Sequence, residues 1–296
     1  MGKIPIVILH KSDSFYLNYC IASIKKYNPG GKIFLLCEGT KENFDLVDKL
    51  PISNFNRYSG KLRKIYVHKN TSNPLIELFC IERWLILKDF MEKRKFKRIF
   101  TMDSDVLLFE DINKDSKNYS RFDVILAKGA SAGLTFINNK KVLDKYCEIV
   151  LDFYRHKVGK VEYESNNTIT DMSFWKELKR REVLNIGELT DALAGAVYDA
   201  GLLIEQNGIM MDNGMKRILF KDSLPYGETK GSTIRLKCLH CQGPTKFYMK
   251  HFSKGRLTLI NKLNVKLMMT FRDRLSPLMP VGLRDFFKKL LKRLKF

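Results

Sequence analysis

Nowhere do the 296 residues run through the ~18 uninterrupted apolar positions that a membrane span requires. Met1-Gly2-Lys3 leads straight into the strand-like run Ile4 to Leu9 with no small-residue cleavage site after it, so no secretory leader is expected. The 6 cysteines are scattered and mostly sit in apolar runs such as Ile33-Phe34-Leu35-Leu36-Cys37. Free, largely buried thiols in a reducing, cytoplasmic compartment are expected in preference to a disulfide framework. Cys238-Leu239-His240-Cys241 has no second cysteine pair to complete a structural zinc site. Internal repeats and low-complexity linkers are absent. Acidic residues are in deficit, 32 against 53 lysines and arginines, which leaves a net charge of +21. That excess predicts attraction to polyanions: phosphorylated ligands, an anionic membrane face or nucleic acid. Neither zinc-finger spacing nor a ribonucleoprotein aromatic signature is present, which argues against nucleic acid.

The apolar content, 45%, is enough for a substantial core. Strand and helix signals alternate along the first hundred residues. Ile4 to His10 is a continuous apolar run, as in a buried parallel strand. Phe15 to Tyr27 has helical spacing and stops at Asn28-Pro29-Gly30-Gly31. Lys32 to Cys37 and Leu62 to Val67 are expected strands, and Ile76 to Lys93 an amphipathic helix. Arg98 to Met102 is a strand that runs directly into Asp103. Further on, Asp123 to Ala127 and Leu134 to Ile137 are expected strands, the second after the small-residue turn Gly129 to Gly133. Val142 to Tyr154 and Thr170 to Leu178 are expected helices, with Thr170 as N-cap. Ile234 to His240 is a late strand. The pattern predicts an α/β fold with a mostly parallel sheet flanked by helices. Ligands of such sheets bind beyond the carboxyl ends of the strands.

Asp103-Ser104-Asp105 stands in that place, framed by Phe100-Thr101-Met102 and Val106-Leu107-Leu108-Phe109. Two carboxylates inside an apolar frame call for a compensating cation. Hard oxygen ligands suit Mg²⁺ or Mn²⁺, which can bridge a diphosphate and neutralise charge on its departure. A solvated turn between two strands is the plainer reading of the same three residues.

These pieces together resemble the GT-A glycosyltransferases of the family 8 type, over residues 4 to 250 and in the family's order. Ile4 to His10, followed by Asp13 and Tyr16, resembles its first strand and nucleobase loop. The helix bearing Arg83 resembles its arginine helix, and Asp103-Ser104-Asp105 its metal motif. Ser131-Ala132-Gly133 resembles its small-residue strand, Thr170-Asp171-Met172 stands at its Asp-Gln pair, and His240-Cys241-Gln242-Gly243-Pro244-Thr245-Lys246 fits its His-x-x-Gly-x-x-Lys pattern. The resemblance implies Asp103, Asp105 and His240 as ligands of Mn²⁺ or Mg²⁺. It implies Leu9, His10, Tyr16, Arg83, Ser104, Gly243 and Lys246 as contacts to a nucleoside diphosphate sugar, a UDP-sugar by family habit. Asp171 would hold donor-sugar hydroxyls or lie near the reacting carbon, and transfer would retain configuration. Met172 departs from the family's Gln, and Lys11-Ser12-Asp13-Ser14-Phe15-Tyr16 from its Asp-Asn-Tyr loop.

Each residue also has a plainer reading. His240 could be a strand-end histidine, Asp171 a helix N-terminal carboxylate, Arg83 a partner of Glu82, and Tyr16 a packing residue. A nucleotidyltransferase is the competing enzyme class, but it needs a glycine-rich N-terminal loop, and His10 to Phe15 contains no glycine.

The expected organisation is a GT-A domain over 1–262 and a basic tail over 263–296. From Leu283 the apolar residues Phe286, Phe287, Leu290, Leu291 and Leu294 alternate with Arg284, Lys288, Lys289, Lys292, Arg293 and Lys295. One helix would then carry an apolar stripe and a cationic face. It could pack on the domain, but lying on an anionic bilayer explains both faces. The resulting expectation is a cytoplasmic enzyme held peripherally at the membrane, acting on a glycan or lipid-linked acceptor in surface polysaccharide or lipopolysaccharide synthesis.

Overall fold

The computed structural model describes residues 2–156, 168–189 and 195–255. The basic tail over 263–296 lies outside the described residues. In chain order the first strands are β1 (Ile6–Lys11), β2 (Ile33–Glu38), β3 (Val47–Pro51), β4 (Ile99–Met102), β5 (Val106–Leu108), β6 (Val124–Ala127), β7 (Ser131–Ile137) and β8 (Ile186–Glu188). Then come β9 (Ala196–Val197), β10 (Met211–Asp212), β11 (Met215–Lys216), β12 (Ile218–Lys221), β13 (Leu224–Glu228), β14 (Thr233–Leu236) and β15 (Cys238–His240). The helices are α1 (Leu17–Tyr27), α2 (Ser59–Arg63), α3 (Pro74–Lys93), α4 (Ile112–Asp115), α5 (Lys141–His156), α6 (Asp171–Arg180) and α7 (Met249–Phe252). The chain forms two compact units. Among the described residues, the first takes those within Met1–Ser14, Tyr27–Ser104 and Glu110–Asp191, and the second those within Phe15–Lys26, Asp105–Phe109 and 195–255.

The first unit is α/β, built on a seven-stranded sheet in the order β3-β2-β1-β4-β7-β6-β8. β1 pairs in parallel with β2 and β4, and β2 with β3. β7 runs antiparallel to both its neighbours, and β6 to β8 is again parallel. β1 is central because Ile6 to His10 are buried on both faces, as its unbroken apolar run demands. The largest core cluster joins Val7, Leu9, Phe34 and Leu36 of the sheet to Trp84, Leu85 and Phe90 of α3, Tyr146 and Phe153 of α5, and Trp175 of α6.

α3 starts where the chain signals it should. Asn73 caps the amides of Leu75 (2.9 Å) and Ile76 (3.4 Å), and Pro74 fills the first turn without leaving a donor unpaired. It is not the one-sided amphipathic helix expected from the sequence. Ile81, Trp84, Leu85, Ile86, Leu87 and Phe90 are buried around most of its circumference. Two of its buried acids are matched by cations: Glu82 by Arg63, and Asp89 by Lys93 at 3.2 Å. α6 begins at a Thr170 N-cap, as expected, with the Ser173 hydroxyl accepting from the Thr170 amide at 3.1 Å.

Two expected strands are corrected. Leu62 to Val67 is not a strand: Leu62 is a buried residue of α2, and the Tyr66 amide returns to the Leu62 carbonyl at 2.9 Å. The third strand is instead Val47–Pro51, a half-exposed edge whose Asp48, Lys49 and terminal proline hid it from an apolar pattern search. Ile234 to His240 breaks at Lys237 into two strands. β14 pairs with β13 and β9, while β15 pairs with β5.

In the second unit, a four-stranded sheet runs β12-β13-β14-β9, beside the two-stranded ladders β10-β11 and β15-β5. α1 is tied to β5 by the Ser23 hydroxyl, which accepts the Leu108 amide at 3.0 Å. All 6 cysteines are free and all but Cys80 are buried, as expected. Among the described residues, no helix is long and apolar enough to cross a membrane.

Candidate active site

Asp103-Ser104-Asp105 is the link between β4 and β5. The boundary between the units falls inside it, after Ser104.

In the first unit, the Asp103 amide donates to the Gly133 carbonyl at 2.9 Å, so the small-residue strand β7 fixes the backbone of the motif. The Asp103 carboxylate accepts from Arg83 Nη1 at 2.8 Å, and Arg83 Nη2 donates to Asp171 Oδ2 at 3.1 Å. Trp84 Nε1 reaches the same Asp171 oxygen at 3.3 Å. One guanidinium thus holds two carboxylates, one from the end of β4 and one from the first turn of α6. Burial disfavours the Arg83 cation, but Asp103 and then Asp171 outweigh it and hold its pKa above the ordinary value. Burial likewise pushes the Asp171 carboxyl up, and Arg83 pulls it part of the way back. Arg83 is therefore not merely a partner of Glu82, which belongs to Arg63. Guanidinium and carboxylates together can serve anionic oxygens and hydroxyls in one place.

His10 ends the buried part of β1, and its Nδ1 lies 2.9 Å from the Ser104 hydroxyl. Two neighbouring strands are thereby coupled at the level of the motif. The side chain of Leu9 belongs to the hydrophobic core.

In the second unit, β5 and β15 position Asp105 and His240. Val106 pairs with His240, and the Cys241 amide donates to the Asp105 carbonyl at 2.8 Å, which brings His240 level with Asp105. His240 Nε2 lies 3.4 Å from Asp105 Oδ1, and Lys246 Nζ 2.9 Å from Asp105 Oδ2. Burial alone would raise the Asp105 carboxyl; His240 and Lys246 override it and bring it to about 2. His240 Nδ1 lies 3.3 Å from the Ala200 carbonyl. Two ligand atoms ~2.1 Å from one cation and roughly at right angles lie about 3 Å apart, so the Asp105–His240 pair fits a divalent ion. Gly243 has φ 55°, a left-handed conformation that turns the chain into the 3₁₀ segment Gly243–Tyr248 carrying Lys246. The Lys246 ammonium also lies over the ring of Tyr16 at 5.2 Å, so Tyr16 packs beside this lysine. Phe15 stacks on Phe247 at 5.3 Å.

Sequence reasoning missed the support beneath His240. Asp199 Oδ2 accepts the His240 amide at 2.9 Å, and its other oxygen accepts from Lys216 at 2.5 Å. Lys216 donates in turn to Gln206 at 2.9 Å. Asp199 and Lys216 are both fully buried. No local pattern marks them, because the pairing depends on strands folding back from elsewhere in the chain.

No protein-family profile matches the chain, and no curated protein sequence does. Among solved structures it is similar to mouse xyloside xylosyltransferase 1, at 8% identity over 64% of this chain and 85% of that one, with a TM-score of 0.47. It is also similar to the galactosyltransferase LgtC in complex with donor and acceptor sugar analogues, at 9% identity over 89% of this chain and 100% of that one, with a TM-score of 0.45. Its similarity to the glycosyltransferase GlyE of Streptococcus pneumoniae is 16% identity over 64% of this chain and 46% of that one, with a TM-score of 0.39. The solved structures that the chain resembles are glycosyltransferases.

Proposed function

We propose that the protein is a metal-dependent glycosyltransferase. It moves a sugar from a nucleoside diphosphate donor, a UDP-sugar, to a glycan or lipid-linked acceptor of a surface polysaccharide or lipopolysaccharide. The observation that carries this reading is the Asp105 carboxylate with His240 Nε2 at one oxygen and the Lys246 ammonium at the other. Asp103, Asp105 and His240 are the ligands in this reading, each offering one ligand atom. Carboxylate oxygens with an imidazole nitrogen favour Mn²⁺ over the all-oxygen preference of Mg²⁺.

Such an ion would neutralise charge developing on the departing diphosphate. Lys246 meets the same diphosphate as a point charge, and the turn at Gly243 lets the backbone approach it. The backbone of Leu9 and the side chains of His10 and Tyr16 would meet the nucleoside, with His10 steadied by Ser104. Arg83 orients Asp103 and Asp171 and touches the donor, while Asp171 accepts hydroxyls of the transferred sugar. The acceptor hydroxyl attacks the anomeric carbon as the bond to the diphosphate breaks, and its proton leaves with the phosphate. Retention by this route needs no separate general base. The basic tail over 263–296, read from sequence, would hold the enzyme at the cytoplasmic face of an anionic membrane.

Donor hydrolysis and transfer with UDP-sugars should require Mn²⁺ and should fall about 100-fold or more in Asp105→Ala, since the lost charge stabilisation is several kcal/mol. Full activity in that variant, or in metal-free enzyme, would sink the assignment.

A further inference from the structure

We infer that Glu77 is a second sugar-binding carboxyl, its Oε1 accepting or donating a hydrogen bond to a hydroxyl of the transferred sugar beside Asp171. This rests on the glycosyltransferase reading and names a specificity-determining residue within it.

Glu77 lies in the first turn of α3, with 7% of its surface exposed. One oxygen, Oε2, accepts from Asn70 Nδ2 at 2.9 Å and Ser72 Oγ at 3.2 Å. The other, Oε1, is buried and has no hydrogen-bond partner among the described residues. A buried carboxylate oxygen left without a donor is unfavourable, and native proteins rarely leave one so without a use.

Two plainer roles employ only part of the group. Pinning the 70–72 loop needs Oε2 alone. Complementing the helix N-terminus needs neither burial nor a second oxygen, and the cap itself is already supplied by Asn73. The helix puts the spare oxygen in a telling place. Glu77, Cys80 and Trp84 follow one another at spacings of three and four, along one face of α3, with Arg83 at the border of that face. Arg83 and Trp84 both donate to Asp171 Oδ2 from that face. Burial first, then the Asp171 charge, pushes the Glu77 carboxyl up. The chemistry required of a ligand here is a hydroxyl, which can donate to a carboxylate or accept from a carboxylic acid. A sugar anchored at Asp171 presents several.

The test is acceptor-free donor hydrolysis by the full-length protein with Mn²⁺, using UDP-hexoses and their monodeoxy analogues. Wild type is compared with Glu77→Gln, Glu77→Met and Asn70→Ala, and thermal unfolding is followed in parallel. Glu77→Gln should lose about 10- to 100-fold in kcat/KM for the full donor, as expected for one hydrogen bond to a charged group. A single deoxy donor should lose a similar factor in wild type and little more in Glu77→Gln. Glu77→Met should lose the same activity, whereas Asn70→Ala, which loosens the loop but leaves Oε1 in place, should keep it, an outcome that a loop-pinning role alone would not produce. The inference is overturned if active wild type tolerates Glu77→Gln across the whole donor series, or if the defect appears only when acceptor is added. A wild-type deoxy series in which no hydroxyl is worth tenfold overturns it without any variant. Wild-type protein inactive on every nucleotide sugar would overturn this inference and the underlying reading together.

Discussion

Replacing Lys216 with methionine removes a charge from the most deeply buried ion pair in the second unit while keeping the shape of the side chain. Lys216 and Asp199 are both fully buried and 2.5 Å apart. Breaking such a pair on one side leaves a buried charge uncompensated, at a cost of about 3–5 kcal/mol. Asp199 would keep the amides of His240 at 2.9 Å and Gly201 at 3.2 Å, which places the loss near the lower end, about 3 kcal/mol. At roughly 2–4 °C per kcal/mol for a chain of this size, the unfolding temperature should fall about 6–12 °C. The consequence reaches the proposed metal site, because Asp199 holds the backbone of His240. Disturbing a partner at one remove from a metal ligand typically weakens the ion 10- to 100-fold, so the Mn²⁺ dissociation constant should rise by about that factor. Calorimetry reads the first quantity, and electron paramagnetic resonance of free Mn²⁺ the second. Adding Asp199→Asn, which removes the stranded charge, should recover at least half of the lost stability. A fall under about 2 °C for Lys216→Met, or no rescue in the double variant, would refute the reasoning.

Two further outcomes follow from other parts of the chain. Glu177 on α6 accepts from Arg180 at 2.7 and 2.8 Å and from Arg181 at 2.8 Å, and the Arg180 hydrogen bonds are the main reason its pKa lies below the ordinary value. A carboxyl lowered in the folded state stabilises above its unfolded pKa of about 4.3 and loses that contribution as pH falls through the folded value. Glu177→Gln should therefore flatten the acid limb of stability below about pH 4.5, by under ~1 kcal/mol because the arginines are exposed; identical unfolding temperatures across pH 3 to 7 relative to wild type would contradict this. Deleting residues 263–296 should release the protein from phosphatidylserine vesicles in sedimentation, since basic residues near such a surface contribute ~1 kcal/mol each. Undiminished binding by the shortened chain would remove the tail from the membrane proposal.

Much of the first unit was legible because its signals are local. The unbroken run Ile4 to His10 could only be a strand covered on both faces, and Asn73-Pro74 and Thr170-Asp171 mark helix starts through their own capping chemistry. Signals failed where burial is partial or comes from all sides. β3 is polar because it is an edge, and α3 hides its periodicity because its circumference is mostly covered. Of the site, Asp103 and Asp105 stood out by their apolar frame, and His240, Gly243 and Lys246 by their resemblance to the family's His-x-x-Gly-x-x-Lys pattern.

By itself, then, the sequence determined the α/β alternation, the strand end on which Asp103 stands, and the residue types needed for a divalent cation and a phosphate. Tertiary structure alone decided which groups meet. It gave Arg83 two carboxylates 20 and 88 positions away, set Asp199 and Lys216 beneath His240, and left one oxygen of Glu77 without a partner. The physical reason is range. Periodicity and capping act over a few residues and can be read in order, whereas the partner of a buried charge is whatever the fold carries to it from far along the chain.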